Sequence, residues 1–246
     1  MALIYREDNA LTHLQHASHD DLATLVDYLL AQPEGGWLSR IELQNDPVFK
    51  EAGGNYQRAW KSIAAQLQLL GGNTLANFMR KPSWKLEPQG VPYTEILRDV
   101  CKQLGVQTDK ADGFFELESK ILAFVTTQNW GLLPTEVRQE LARSGKLGSV
   151  DTLPSVQQLN HSMAQISTFT QKLLRSLSAM FAAPRLQNGA LDHAALGETS
   201  KIVMQATPVG LALMAWRKIR PKLEVTLPCV ILIAHMRQKQ LETDLF

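Results

Sequence analysis

The sequence predicts an all-α protein, built as a multi-helix bundle. Apolar residues recur at helical spacings of three and four through most of the 246 residues. No segment shows the strict alternation of apolar and polar residues that is typical of a half-buried strand. Glycines and prolines separate the helical segments from one another, because each of these residues interrupts or ends a helix.

The first 44 residues predict three helices. Two are expected over 10–17 and 19–31. Ser18 is the predicted N-cap of the second, and Asp21, three residues later, completes a variant of the capping box. A weaker third helix is expected over 38–44, before prolines and glycines redirect the chain.

The clearest helical pattern lies within 55–77. We expect Asn55 to cap the start of this helix and Gly71-Gly72 to end it, with a second short helix over 74–80. A regular apolar stripe along the first helix predicts burial of one face. The residues of that stripe are Tyr56, Ala59, Trp60, Ile63, Ala64, Leu67 and Leu70.

Three further helices are expected in the middle of the chain. The first starts at Pro92, since proline is well suited to an initial helical position, and ends at Gly105. The second spans 113–128. The third spans 135–143 and is opened by the preceding proline.

A change of composition predicts the domain organisation. The gap 144–153 has two glycines and no periodic apolar content, so we expect an N-terminal helical domain at 1–143 and a C-terminal segment at 152–246. One long amphipathic helix is predicted over 152–183. Its polar face carries little charge, because the interval 152–191 contains no aspartate or glutamate.

The C-terminal segment ends with two apolar runs, 208–216 and 227–234, that flank a basic cluster. Each run is too short to cross a bilayer alone. Two interpretations stay open: the segment packs as a helical core, or it contacts a membrane surface or a hydrophobic partner. The residues expected to make such a contact are Phe169, Leu173, Leu177, Met180, Phe181, Trp216, Arg217, Lys218, Arg220 and Lys222.

Overall charge argues against a nucleic-acid partner. Lys and Arg number 25 against 24 Asp and Glu, which leaves a net charge of +1. The basic residues near Trp60 are therefore interpreted as a solvated helix face. Cys101 and Cys229 lie in apolar patterns without CxxC spacing, so we expect buried, reduced thiols. With no signal-peptide pattern, we expect a cytoplasmic protein, peripheral to the inner membrane if it docks there.

No catalytic or metal-binding motif is present, so we expect no enzyme, cofactor or metal site. His13, His16 and His19 recur every three residues, but the expected N-cap at Ser18 breaks the helix that would align them. A role in capping and packing is therefore expected for these histidines. Glu116 and Glu118, two residues apart on the 113–128 helix, should point to different sides of that helix.

Several segments carry a family resemblance: LQHAS at 14–18, AWKSIAAQLQLLGGNTLAN at 59–77, YTEILRDVCKQL at 93–104 and NW at 129–130. Together with TPVGLALMAW and TLPCVILIAHMR near the C-terminus, they resemble the bacterial YaaW-like family. The resemblance covers most of the chain. It implies a helical fold and, through the distant similarity of that family to ubiquinol-cytochrome c chaperone domains, a role in assembly. It transfers no catalytic residue.

The pattern and the resemblance favour a non-enzymatic binding or assembly protein, chaperone-like, that acts on a protein client or docks on the inner membrane or on membrane-protein clients. The alternative is a membrane-perturbing effector or toxin, which would insert its C-terminal apolar helices. The sequence sets neither an oligomeric state nor the identity of a client.

Overall fold

The computed structural model describes residues 2–30, 40–71, 90–150, 152–165, 169–177 and 223–243. It confirms the all-α prediction, because every regular element within these ranges is helical. The α-helices are α1 (His19–Leu30), α2 (Arg40–Asn45), α3 (Pro47–Glu51), α4 (Trp60–Gly71), α5 (Tyr93–Leu104), α6 (Phe114–Asn129), α7 (Thr135–Gly145), α8 (Val156–Gln165), α9 (169–177) and α10 (Leu223–Thr243). Short 3-10 helices occupy Thr12–His16 and Trp130–Leu132.

The chain forms two compact units. The first combines Met1–Glu118 with Val225–Phe246, so nearly all of α10 belongs with the N-terminal half. The second is Ser119–Glu224. The expected division into an N-terminal helical domain at 1–143 and a C-terminal segment at 152–246 stays a prediction.

Helix α4 is central to the first unit. It packs against α1, α2, α3, α5 and the 3-10 helix Thr12–His16. The expected stripe is buried at Ile63, Ala64 and Leu67, each with no exposed surface. The expected start at Asn55 is wrong, because α4 begins at Trp60. Backbone bonds from the amide of Arg58 to the carbonyl of Asn55, and from the next residue to Tyr56, form turns instead.

The predicted capping of α1 is confirmed. The amide of Asp21 donates to Ser18 Oγ over 3.2 Å, and the Ser18 hydroxyl donates to the Asp21 carboxylate over 2.6 Å. The preceding residues form the 3-10 helix Thr12–His16 rather than an α-helix over 10–17. The capping group therefore sets the beginning of α1 and the direction from which the chain enters it.

Helix α3 was not expected, because Pro47 was interpreted as a break in the chain. Proline instead occupies the first turn of the helix, where its missing N–H leaves no partner unsatisfied. Asp46 caps the helix by accepting from the amide of Phe49. An aspartate directly before proline was the signal that marked this start.

The three middle helices follow their predicted boundaries closely. Gly105 ends α5 in the left-handed conformation at φ 76°, as expected. Helix α6 is displaced by one residue towards the C-terminus from the predicted range 113–128, and runs from Phe114 to Asn129. Helix α7 begins after Pro134 and extends to Gly145.

The prediction of one continuous helix over 152–183 is wrong. The Thr170 hydroxyl donates to the Met163 carbonyl over 3.1 Å. Seven residues of one α-helix would separate these positions by about 10 Å along its axis. Helices α8 and α9 are therefore not one uninterrupted helix, although each keeps an apolar face that is buried at Leu159, Leu173 and Leu177.

Helix α10 contains the second of the two apolar runs, 227–234, and every residue of that run is buried. The first run, 208–216, lies outside the described residues, as does the short helix expected over 74–80. Within the ranges that the structure describes, no helix is long and apolar enough to cross a membrane.

Candidate functional site: a buried arginine–glutamate–tyrosine cluster

A pair of opposite charges lies inside the first unit. Glu118 on α6 is 4% exposed and Arg237 on α10 is 7% exposed. Burying two charges is costly unless they meet each other and satisfy their remaining hydrogen-bonding groups. The residues around this pair therefore show whether the site is closed or open to a ligand.

The hydrogen bonds of the pair involve three helices and the N-terminal segment, which is residues 2–18, before α1. Arg237 donates through Nη1 to Glu118 Oε2 and through Nη2 to the Ala10 carbonyl, the latter over 2.6 Å. The Tyr93 hydroxyl, from the start of α5, donates to Glu118 Oε1 over 2.8 Å. Both carboxylate oxygens thus accept hydrogen bonds from protein donors. We name Tyr93, Glu118 and Arg237 the buried cluster.

Aromatic rings surround the guanidinium of the buried cluster. Its central carbon lies 4.6 Å from the ring centroid of Phe114, 5.4 Å from that of Phe115 and 5.8 Å from that of Tyr93. These distances fall within the range of cation–π attraction, which favours a flat, weakly hydrated guanidinium. The rings therefore help to hold the charge of Arg237 away from water.

His13 lies beside the buried cluster and contacts the same helix. Its Nε2 is 3.2 Å from the Ile233 carbonyl, so Nε2 carries the proton and donates. Burial, reinforced by the positive charge of Arg237, lowers the pKa of His13 from 6.5 to about 3. The imidazole is consequently neutral when α10 is packed at neutral pH.

Burial also changes the proton affinities within the buried cluster. It raises the pKa of Glu118, against the opposing influence of Arg237 and the Tyr93 hydroxyl. It raises the pKa of Tyr93 well above 10, and the Glu118 carboxylate adds to that increase. Since both oxygens of Glu118 accept hydrogen bonds, the contacts are those of an ionised carboxylate.

The chemistry of this arrangement is structural. A general acid or base needs a free position within reach of a substrate proton, whereas the carboxylate oxygens of Glu118 are occupied by Tyr93 and Arg237. The cluster joins α5, α6 and α10 to the backbone at Ala10. The cluster therefore fixes the positions of these four segments relative to one another.

A second buried carboxylate, Asp46, also serves the first unit. It has no exposed surface and accepts from the amide of Leu3 over 2.8 Å, from the amide of Phe49 over 3.0 Å and from the Ser62 hydroxyl over 2.7 Å. Three donors from the N-terminal segment, α3 and α4 thus converge on one side chain. This site is closed in the same way as the buried cluster.

The second unit contains an open polar depression of 380 Å³, lined by Glu136, Gln139, Glu140, Arg143, Ser144 and Lys172. Lys172 forms an ion pair with Glu140 at 2.8 Å, and its hydrogen bond lowers the pKa of that carboxyl. Both side chains are substantially exposed to solvent. Surface pairs of this kind contribute little energy and give no preference for a particular ligand.

The structure describes three of the ten residues expected to contact a membrane or partner. Phe169, Leu173 and Leu177 have no exposed surface and lie inside the second unit. The other seven lie outside the described residues: Met180, Phe181, Trp216, Arg217, Lys218, Arg220 and Lys222. The binding role of the ten stays a prediction.

The three N-terminal histidines lie in different surroundings. His13 points to α10, His16 is exposed, and His19 stacks on Tyr56 with ring centroids 5.3 Å apart. Within the described residues, no three metal-ligating side chains come close enough to hold an ion.

Other residues follow their expected environments. The thiols of Cys101 and Cys229 are buried, as predicted. Glu116 is exposed while Glu118 is buried, which confirms that these two side chains occupy different sides of α6.

Sequence reasoning missed the buried cluster, although a signal for it was present. Glu118 precedes the buried residues Ile121 and Leu122 by three and four positions, and so lies on the apolar face of α6. Arg237 follows Ile233 by four positions on α10. Two opposite charges on otherwise apolar helix faces predict a buried pair, because charged residues are almost never buried alone.

The chain is similar over nearly its whole length to bacterial proteins that carry a shared name. It is 29% identical to UPF0174 protein YaaW of Escherichia coli O157:H7 and of strain K12, over 97% of both chains. It is 24% identical to a UPF0174 protein of Helicobacter pylori strain J99, over 96% of this chain and 94% of the relative. No family model and no solved structure matches the chain. The relatives support the YaaW-like resemblance, and their names state no activity or partner.

Proposed function

We propose that this chain is a non-enzymatic binding or assembly protein, which docks through its C-terminal segment on the inner membrane or on membrane-protein clients. The observation that carries the non-enzymatic part is the closure of the buried cluster. Glu118 is 4% exposed and its two carboxylate oxygens accept from Tyr93 and Arg237, so the group offers no open position to a substrate proton. The assembly part is what the YaaW-like resemblance implies, through the distant similarity of that family to ubiquinol-cytochrome c chaperone domains.

The docking part of the proposal rests on residues before α10. The sequence places Trp216, Arg217, Lys218, Arg220 and Lys222 directly ahead of that helix. An aromatic residue with nearby basic residues favours an anionic interface, where each lysine or arginine adds about 1 kcal/mol. This group, which we call the basic segment, is the expected point of contact.

Three of the other residues expected to contact a membrane or partner are buried. Phe169, Leu173 and Leu177 are already packed inside the second unit, so they would reach a partner only if that unit opened. The apolar residues 227–234 of α10 are buried as well. The proposal therefore assigns first contact to the basic segment and not to the buried stripes.

The effector alternative carries a higher structural cost. Insertion of α10 into a bilayer would break the Arg237–Glu118 pair and the hydrogen bond to Ala10. Leaving either buried charge without its partner costs about 3–5 kcal/mol. Docking of a folded protein needs no such step, and for that reason we favour it.

Flotation of the full chain with liposomes tests the proposal. We expect binding to vesicles with anionic lipid and much weaker binding to neutral vesicles. Replacing the four basic residues of the basic segment with glutamine should reduce binding to anionic vesicles at least tenfold, since each charge is worth about 1 kcal/mol before screening. The matched control replaces four exposed cations, Arg58, Lys102, Lys110 and Lys146, with glutamine.

The outcomes separate the proposed functions. Equal loss of binding in both four-site variants would contradict a specific basic segment and indicate general charge attraction. A wild-type chain that stays in solution with both kinds of vesicle would contradict docking on lipid. Release of a dye trapped in the vesicles would favour the membrane-perturbing effector over the assembly protein.

A further inference from the structure

His13 connects the N-terminal segment to α10 through a hydrogen bond. The stability of this contact depends on whether the imidazole is charged. Its Nε2 donates to the carbonyl of Ile233, in the middle of α10. The side chain is 9% exposed, so water reaches little of it. A neutral imidazole suits such a site, while an imidazolium would lose most of its hydration there.

The nearest charge makes protonation of His13 still less favourable. Arg237 lies one turn beyond Ile233 on α10 and repels a charged imidazole. The Ala10 carbonyl, which accepts from Arg237 Nη2 at 2.6 Å, also faces the His13 ring. This carbonyl favours the protonated ring, as the Ile233 carbonyl does, but burial and the charge of Arg237 outweigh both.

Other titratable groups meet α10 from the helices around it. Glu118 from α6 and Tyr93 from α5 bond to each other beside Arg237. Asp21 of α1 pairs with Lys239 at 2.6 Å, near the surface. On the helix itself, His235 is partly exposed. Each of these groups could also respond to pH, so the role of His13 must be isolated by comparison.

We propose that His13 is a proton-sensitive contact that holds α10 in the first unit, and that acidification loosens this helix. When the imidazole is neutral, the Ile233 contact and the buried cluster keep α10 packed. When it takes up a proton, the charge is better accommodated in water, so the equilibrium shifts towards the state in which α10 is released. The apolar residues 227–234 would then become accessible.

The direction of the effect follows from linkage. The packed His13 has a pKa of about 3, below its ordinary value of 6.5. Its contribution to stability is therefore present above pH 6.5 and is lost as the pH falls towards 3. Burial raises the pKa of Glu118. That group acts in the opposite direction, because it takes up its proton more readily in the packed state.

Hydrogen exchange of the full chain, without vesicles, measures the release. Opening of α10 is read from the protection of amides in Leu223–Thr243, corrected for intrinsic exchange, at pH 7.5 and pH 5.0. Protection of Trp60–Gly71 serves as the internal reference for general unfolding. The variants are His13→Gln, which keeps a neutral donor, and the matched control His16→Gln on the same 3-10 helix, where the side chain is exposed.

We expect the opening constant of α10 to rise on acidification by about 30-fold more in the wild type than in His13→Gln. Glu118, Asp21 and His235 are common to both proteins and cancel from this ratio. His16→Gln should behave as the wild type. A ratio near one, or equal loss of protection in Trp60–Gly71 and in α10, would overturn the proposal.

A direct titration keeps the test decisive if His13→Gln does not fold. In the histidine ring resonances of the wild type, His13 should stay neutral until α10 loses its protection. If His13 titrates near 6.5 while α10 remains protected, the proposal is wrong. None of these results depends on whether the chain binds lipid.

Discussion

At the scale of single residues, the buried carboxylate of Asp46 accepts hydrogen bonds from several parts of the first unit. Its three donors come from Leu3, Phe49 and Ser62, which belong to three separate parts of the first unit. Hydrogen bonds to a charged group contribute about 1.5–3 kcal/mol each at most, and N-capping alone contributes about 1. Asp46 therefore both starts α3 and fixes the N-terminal segment against α4.

Asp46→Ala should destabilise the first unit by about 2–4 kcal/mol, because two backbone amides and a hydroxyl lose their acceptor inside the protein. Urea unfolding followed by circular dichroism measures the change. Asp27→Ala, at an exposed position of α1, is the control and should stay within about 0.5 kcal/mol of the wild type. Equal effects at both positions would show that Asp46 does not serve as a shared acceptor.

The sequence predicted the capping role of Ser18 but not that of Asp46. Ser18 and Asp21 form a local motif whose partners are three residues apart. Asp46 bonds to residues as far away as Leu3, 43 positions earlier in the chain. Local chemistry is readable from spacing, whereas a distant partner depends on how the helices pack.

At the scale of elements, helix ends were predicted well where glycine or proline sets them. Gly105 takes a positive φ that other residues rarely adopt, and Pro134 precedes α7 as expected. The start of α4 was predicted four residues early, directly after a cap at Asn55, because Tyr56 and Ala59 keep the apolar spacing of the helix. Those residues instead form turns after Gly53 and Gly54, which have positive φ.

Packing of α7 against α9 depends on a glycine without a side chain. A Cβ atom built on Gly145 would lie 2.7 Å from Phe169 Cε2 and 3.1 Å from Leu147 Cγ. The first distance is shorter than real Cβ atoms show, and the second is tighter than most Cβ contacts. The ring of Phe169 thus rests directly on the backbone of α7. Ser162 adds a hydrogen bond to the Gly145 carbonyl at 2.7 Å.

Gly145→Ala should destabilise the second unit by about 1–3 kcal/mol through overpacking of the Phe169 ring. Thermal or urea unfolding measures the loss. Gly131→Ala is the matched control, because a Cβ there meets no atom within 4 Å, and it should be neutral or slightly stabilising. If Gly145→Ala is as stable as this control, Phe169 does not pack on α7 as described.

At the scale of the whole molecule, the packing of α10 in the first unit could not be predicted from the sequence. The sequence grouped 227–234 with the rest of the C-terminal segment because they are neighbours along the chain. The structure pairs Arg237 with Glu118, 119 positions earlier, and with Ala10, 227 positions earlier. Periodicity gives the buried face of a helix but not its partner.

This arrangement changes how experiments on fragments should be designed. A chain cut after residue 150 keeps α1 to α7 but lacks α10, and with it the partner of Glu118. Such a fragment would leave a buried carboxylate unpaired and apolar surface exposed. Comparisons of binding therefore require the full chain with point substitutions.

The central structural claim is that the buried cluster couples α6 to α10, and a double-mutant cycle tests it most directly. Glu118→Leu and Arg237→Met should each lower the free energy of unfolding by about 3–5 kcal/mol, because each leaves the partner's charge buried and unpaired. Urea unfolding measures this change. The double variant should cost less than the sum by at least about 2 kcal/mol. A parallel cycle on the exposed pair Glu7 and Lys61 should give a coupling below about 1 kcal/mol. Additive losses at Glu118 and Arg237, within about 0.5 kcal/mol, would contradict the claim.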